Sequence, residues 1–162
     1  MSVRRLAALI DSHGAALVLF ARQWCSAPED AVQDALCKLA EQSRWPEDAV
    51  AWLYRVVRNR AIDAGRSERR RQRREAAASR PEGWFAETAI DGLDADAAVA
   101  ALESLPPEQR EVIVARLWGG MTLEQVATVA GCSVSSAHRR FEAGIAALRK
   151  QLGAPCPTDP TP

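Results

Sequence analysis

The side chains best suited to binding a ligand are short polar and charged residues in the last third of the chain. They are Ser135, Ser136, His138, Arg139 and Glu142. Hydroxyl and guanidinium groups bind phosphate oxygens, while arginine and carboxylate side chains bind base edges in the major groove of DNA. This group of residues therefore indicates contact with DNA.

A helix-turn-helix over residues 122–150 is expected to position these side chains. Thr122 can cap a first helix with Gln125 completing a capping box, Gly131 ends that helix, and Ser133 can cap a second. Apolar residues recur at helical spacing along the second helix: Ala137, Phe141, Ile145 and Leu148. One face therefore packs inward and the other is free for DNA. The alternative is a helical hairpin that binds no nucleic acid.

Charge is strongly segregated along a chain whose formal net charge is zero. Between Arg55 and Arg80, ten arginines accompany three acids, a local balance of plus seven. Between Glu82 and Glu111, eight acids accompany one arginine, a local balance of minus seven. The basic run indicates either phosphate binding or a solvated helix end, and the acidic segment either a solvated linker or a mimic of a polyanion.

No group of residues suited to catalysis or metal binding stands out. The four cysteines form no CxxC pair and the two histidines are isolated, so we expect no metal site, no disulfide framework, no cofactor and no enzymatic activity. No apolar run approaches a bilayer span, and Asp11, Ser12 and His13 interrupt the first apolar stretch too early for a signal peptide. The sequence therefore predicts a cytoplasmic protein without membrane insertion.

Helical periodicity without strand signals predicts an all-α fold of two small domains. Helices are expected over residues 3–24, 28–43, 46–74, 93–104, 107–118, 122–130 and 133–152. Pro28 and Pro46 are predicted to lie in the first turns of the second and third helices. The domains are assigned as residues 1–75 and 99–152, joined by a flexible acidic linker at 76–98 and followed by a disordered tail at 153–162. Trp84 and Phe85 are predicted to form a small docking anchor within the linker.

Three motifs in this order resemble a known family. PEDAVQDAL from Pro28 is similar to a D-x-x-Q-D/E motif, and WLYRVVRNRAID from Trp52 is similar to a W-L-Y-R-I-A-R-N helix. The segment SLPPEQREV from Ser104, together with the helix-turn-helix, follows an L-P-x-x-x-R-E-V helix and its terminal helix-turn-helix. The chain thus resembles bacterial RNA polymerase sigma factors of the extracytoplasmic-function (ECF) group in the sigma-70 family. The resemblance implies a region 2 domain followed directly by a region 4 domain.

The resemblance also implies which partners and surfaces to expect. The polymerase core, with its beta-prime and beta subunits, and promoter DNA are the implied partners, and an anti-sigma factor is left open. The polar side of the second helix, with Asp30, Gln33 and Asp34, is implied to dock the coiled coil of beta-prime. Its alternative role is helix solubility and compensation of the helix dipole.

The loop from Gln42 to Asp48, with the start of the third helix, resembles the element that recognises the −10 promoter element. Strand opening there requires a pocket for a flipped base, formed by stacking and base-edge contacts. The implied base contacts are Trp45, Trp52, Tyr54 and Asn59, with a core role as the alternative for Trp52. The implied phosphate contacts are Arg55, Arg58, Arg60 and Arg66.

The second domain is implied to bind the −35 element as duplex DNA. By match to the family's recognition helix, Ser136 and Arg140 are implied phosphate contacts, while His138, Arg139 and Glu142 point toward bases, beside Ser135. The acidic linker resembles the segment that passes through the polymerase near the RNA path. The predicted function is therefore a sigma factor. The alternative is a helix-turn-helix regulator that binds duplex DNA without the polymerase, using its first bundle for dimerisation or sensing.

Overall fold

A computed structural model describes residues 3–75 and 95–153, and these form seven α-helices without a strand. The helices are α1 Val3–Ala21, α2 Pro28–Ala40, α3 Ala49–Glu75, α4 Ala95–Ser104, α5 Pro107–Leu117, α6 Leu123–Ala130 and α7 Val134–Leu152. The predicted all-α fold of two small helical domains is confirmed. None of the helices in these ranges is long and apolar enough to cross a membrane.

The first domain is a bundle of α1, α2 and α3, each of which packs against the other two. Its centre is formed by large side chains without exposed surface, among them Leu17, Phe20, Leu39 and Val57. Pro28 begins α2 at a first-turn position, where the missing N–H costs no helical hydrogen bond. Burial of the apolar stripes leaves the polar face of α2 and much of α3 in solvent.

The second domain contains α4 to α7, and α5 is its most buried helix. Five consecutive residues of α5, from Glu111 to Ala115, are buried, so the middle of this helix is covered on all sides. On one side, Ile113 packs with Leu102, Leu105 and the apolar stripe of α7. α6, α7 and, from the first domain, α1 also pack against α5.

The start of α3 differs from the expectation based on Pro46. The helix begins at Ala49, and the Asp48 carboxylate accepts a hydrogen bond of 2.9 Å from the backbone N–H of Ala51. Aspartate is among the best N-capping residues, so the cap decides the boundary and Pro46 stays in the loop. The predicted first helix is also too long at its end, because the chain turns after Ala21.

The two domains share a continuous hydrophobic core. Buried residues extend from Leu17 in α1 through Val57 in α3 to Val114 and Val126 in the second domain. The contacts are made by α1 with α5 and by α3 with α6. The helix-turn-helix therefore lies against the helix predicted to bind the −10 element. The predicted linker conformation at residues 76–94, the anchor Trp84 and Phe85, and the tail from residue 154 lie outside the described residues.

Candidate nucleic-acid interface

The helix-turn-helix is built by the capping residues that its sequence predicts. The Thr122 hydroxyl accepts a hydrogen bond of 3.3 Å from the backbone N–H of Gln125. In return, the Gln125 side-chain oxygen accepts one of 2.9 Å from the backbone N–H of Thr122. Gly131 ends α6 with a φ of +65°, a left-handed conformation that glycine adopts without steric cost. The capping box and the glycine turn are thus confirmed.

The second helix of the motif, α7, is fixed at its start and along its inner face. The Ser133 hydroxyl accepts a hydrogen bond of 3.1 Å from the backbone N–H of Ser136, which caps the helix. Ala137 has no exposed surface. Gly144 is buried so closely against Ile113 that a Cβ would lie 2.6 Å from the side chain's terminal methyl carbon. The contact with α5 therefore sets the orientation of α7.

Four of the six predicted −35 contacts lie together on the outer face of α7. Ser135, His138, Arg139 and Glu142 are exposed. Ser136 and Arg140 are half-buried, and the Ser136 hydroxyl lies 2.9 Å from that of Ser133 within the cap. The four exposed side chains recur at helical spacing and share one helix face. Their hydroxyl, imidazole, guanidinium and carboxylate groups suit the major groove of a duplex.

A second cationic surface runs along α3. Arg55, Asn59 and Arg66 are exposed, and Arg60 is half-buried. Further along the helix, an open surface pocket of 460 Å³ is lined, among the described residues, by four arginines: Arg66, Arg69, Arg70 and Arg73. Guanidinium groups at this density attract the phosphate backbone of a nucleic acid.

Trp45, in the loop before α3, borders a second pocket of 310 Å³ next to α1. Arg5, Ser12 and His13 from α1 line the same pocket. An aromatic ring beside hydrogen-bonding side chains suits a flat heterocycle. Trp45 is a base contact predicted from the sequence, whereas His13 is isolated in the sequence and was given no role. Only the packing of α1 against the loop brings the two together.

Tyr54 is placed in the core, and not on the surface where a base could stack. It has no exposed surface, and its ring lies edge-on to that of Phe20, with 5.0 Å between centroids. Its hydroxyl has no hydrogen-bond partner among the described residues, and burial raises the pKa of the phenol well above its usual value. In this conformation Tyr54 is therefore a packing residue. Trp52 is half-buried against the same core.

Arg58 is held by Glu111, an acid of the second domain for which the sequence indicated no partner. Its Nε and Nη2 atoms donate hydrogen bonds of 2.5 and 3.3 Å to the two carboxylate oxygens of Glu111. The guanidinium carbon also lies 5.8 Å from the centre of the Trp24 ring, a cation–π distance. Glu111 is only 4% exposed. A charge within the apolar turns of α5 is the one sequence signal that could have indicated a buried partner.

The acidic surface of α2 is present as its helical spacing predicts. Asp30, Gln33 and Asp34 are all exposed, opposite a face on which Ala31, Val32 and Ala35 are buried. A carboxylate oxygen of Asp34 lies 3.9 Å from Nε of Arg60. The surface predicted to dock the polymerase therefore adjoins the surface predicted to bind DNA.

Both domains match family models. The model of sigma-70 region 2 matches residues 9–71, and that of sigma-70 region 4 matches residues 101–150. The ECF RNA polymerase sigma factor SigL of Mycobacterium tuberculosis is 30% identical over 154 residues, which cover 90% of this chain and 87% of SigL. The chain belongs to the ECF group of the sigma-70 family.

A further relative and two solved structures are similar to this chain. The ECF sigma factor SigK of Mycolicibacterium vanbaalenii is 31% identical over 110 residues, which cover 65% of this chain and 56% of SigK. The chain thus spans little more than half of that relative. The sigma factor RpoE of Bartonella quintana, solved with the anti-sigma factor NepR, has the same fold, with a TM-score of 0.75 and 24% identity. The match covers 93% of this chain and 97% of RpoE. CnrH, solved with the cytosolic domain of CnrY, gives a TM-score of 0.59 at 25% identity. The match covers 96% of this chain and 92% of CnrH.

Proposed function

We propose that this sigma factor binds the RNA polymerase core and directs it to promoters with a −10 and a −35 element. The observation that carries the proposal is the presence of two separate DNA-suited surfaces on one chain that matches both regions of the family. One is the exposed face of α7, and the other is the cationic face of α3. A simple duplex-binding regulator needs only the first.

The two surfaces suit different states of DNA. The face of α7 presents Arg139 and Glu142, which can pair with guanine and with the amino group of cytosine in an intact major groove. The pocket beside Trp45 suits an unstacked base, whose release from the duplex costs a few kcal/mol that stacking must offset. Arg55 and Arg66 are exposed and can bind the phosphates of either strand, although Arg66 also lies 3.9 Å from a carboxylate oxygen of Asp63.

Core polymerase is proposed to dock on the exposed acidic face of α2. Asp30, Gln33 and Asp34 protrude from a helix whose opposite side is buried, so they can meet a partner without rearrangement of the core. In this role the chain acts as a binding subunit without catalysis, in the cytoplasm. Because RpoE and CnrH were each solved with a partner, NepR or CnrY, an anti-sigma factor is a further candidate partner.

The first test is binding to core polymerase, followed by initiation on a promoter template. We expect Asp30→Lys and Asp34→Lys each to weaken core binding by about tenfold. A partner surface that binds acids is basic, and it therefore repels a lysine. Glu108→Lys, at an exposed acid of α5, makes the same change in net charge away from this face and serves as the control. Circular dichroism should show unchanged helical content in all three variants.

Wild-type protein that fails to co-elute with core polymerase in gel filtration would contradict the sigma-factor proposal and favour a free duplex-binding regulator. If the lysine variants instead lose helical content, the acids serve the stability of α2. The docking surface must then be sought elsewhere.

A further inference from the structure

The pocket beside Trp45 takes most of its lining from α1, a helix to which the sequence gives no role in DNA binding. Five of its seven described lining residues belong to α1, one to the loop before α3 and one to the start of α3. Arg5, Leu9, Ser12 and His13 recur at helical spacing, so they lie on one side of α1. Leu9 and Trp45 are half-buried against the core. Packed apolar side chains therefore hold the pocket in shape, and α1 supplies its hydrophilic side chains.

The hydrophilic side chains of the pocket are all hydrogen-bond donors. The guanidinium of Arg5 donates and cannot accept, the hydroxyl of Ser12 donates one hydrogen bond, and the imidazole of His13 carries at least one N–H in every protonation state. Among the described lining residues there is no carboxylate and no side-chain amide. The pocket therefore favours a ligand whose edge presents acceptors.

Burial differs along this face of α1. His13 is half-buried, as is Trp45, whereas Arg5 is exposed. Arg5 and His13 are separated by about 12 Å along the helix, at 1.5 Å per residue. The pocket volume of 310 Å³ is at the lower end of the range for small-molecule sites, about 300 to 1,000 Å³. The deeper, aromatic part suits a base, and the exposed cation suits a phosphate that keeps its contact with solvent.

We propose that α1 selects a keto base, guanine or thymine, as the unpaired base of the −10 element. Ser12 and His13 donate hydrogen bonds to the keto oxygen of a base that stacks on Trp45, and Arg5 binds its phosphate. Guanine and thymine present an acceptor at O6 or O4, where adenine and cytosine present an amino donor. This inference rests on the proposed function, because it assigns the pocket to opened promoter DNA. It adds α1 to a recognition surface that the sequence limits to the loop and α3.

The test measures the affinity of holoenzyme for forked DNA in which each unpaired position of the −10 element carries one base analogue at a time. Hypoxanthine and adenine differ mainly by a keto or an amino group, and so do uracil and cytosine, so each pair keeps the ring size constant. At one unpaired position we expect the keto member of both pairs to bind about tenfold more tightly, the effect of one hydrogen bond lost to an amino group. Equal binding at every position, or a preference for the amino members, would overturn the proposal.

Substitutions in α1 separate base selection from phosphate binding. His13→Ala should reduce the keto preference to about twofold or less, whereas His13→Gln keeps an N–H donor and should retain part of it. Arg5→Ala should weaken binding to all four analogues alike and reduce the slope of log affinity against log salt concentration by about one. Arg4→Ala is its matched control, because Arg4 is exposed but does not line the pocket, and it should keep both the preference and the slope. If His13→Ala loses helical content in circular dichroism, Ser12→Ala, at an exposed position, decides the question.

The same measurements distinguish failure of this inference from failure of the proposed function. If wild-type holoenzyme binds forked DNA no better than core polymerase alone, the proposed function fails. If it binds with a keto preference that His13→Ala and Ser12→Ala leave unchanged, α1 does not select the base and the proposed function stands. Binding of free guanosine monophosphate to the sigma factor that His13→Ala abolishes, without a keto preference on forked DNA, would overturn the assignment of the pocket to promoter DNA.

Discussion

Replacing Gly65 with alanine tests how closely α3 passes the turn that follows α1. A Cβ at Gly65 would lie 1.9 Å from the carbonyl oxygen of Trp24 and 3.0 Å from its carbonyl carbon. Both atoms belong to the backbone, so no side-chain rotation relieves the overlap. The turn at Trp24 would have to move by more than 1 Å, roughly, to restore van der Waals separation.

The expected size of the effect follows from two opposing contributions. Overpacking against a rigid neighbour costs up to about 3 kcal/mol, and the higher helix propensity of alanine returns about 1 kcal/mol. We therefore expect Gly65→Ala to lower the free energy of unfolding by about 2 kcal/mol. For a chain of this size, this lowers the melting temperature by about 4 to 8 °C.

Gly14→Ala is the matched control, because Gly14 is also in a helix but has open space around it. The nearest atom to its added Cβ would be an Ile10 methyl carbon at 3.9 Å, an ordinary contact. This substitution should raise the free energy of unfolding by about 0.4 to 1 kcal/mol. Urea unfolding followed by circular dichroism measures both variants. If Gly65→Ala were as stable as Gly14→Ala, the close approach of α3 to Trp24 would be refuted.

Two further predictions address the DNA-binding face and the buried phenol. Arg139→Ala should reduce the free energy of binding to the −35 element by about 1 to 3 kcal/mol and relax the base preference at one or two positions. Arg55→Ala should weaken binding to all promoters alike and reduce the slope of log affinity against log salt concentration by about one. Both variants are measured as holoenzyme across a salt series. If Arg139→Ala weakened binding to every −35 sequence equally, His138 and Glu142 would be the better candidates for base recognition. Burial raises the pKa of Tyr54, so above about pH 10 the unfolded chain binds fewer protons than the folded one, and stability falls by up to about 1.4 kcal/mol per pH unit. Tyr54→Phe should lose this part of the pH dependence in urea unfolding between pH 9 and 11, and an unchanged profile would show that the phenol is not buried.

The helix-turn-helix shows how far local sequence determines structure. Thr122, Gln125, Gly131 and Ser133 each act on backbone within a few residues, so their capping and turn roles follow from residue type and spacing alone. The exposed faces of α2 and α7 follow likewise from helical periodicity, which fixes which side chains lie opposite the apolar stripe. The third helix was less predictable, because Pro46 and Asp48 both favour a start and only the formed cap at Asp48 decides between them.

Tertiary structure alone decided the state of the predicted −10 surface. Arg58 and Glu111 are separated by 53 positions, and no periodicity within either helix indicates that they meet. A tyrosine can serve either as an aromatic that stacks on a base or as a core residue. The contacts of Tyr54 with Phe20 and Gly119 make it a core residue in this conformation. The sequence by itself determined where helices form and which faces are polar, because those properties depend on neighbours along the chain. The packing of one domain on the other determined which of those polar groups are free, because a charge or a ring is available to DNA only if no other part of the fold has covered it.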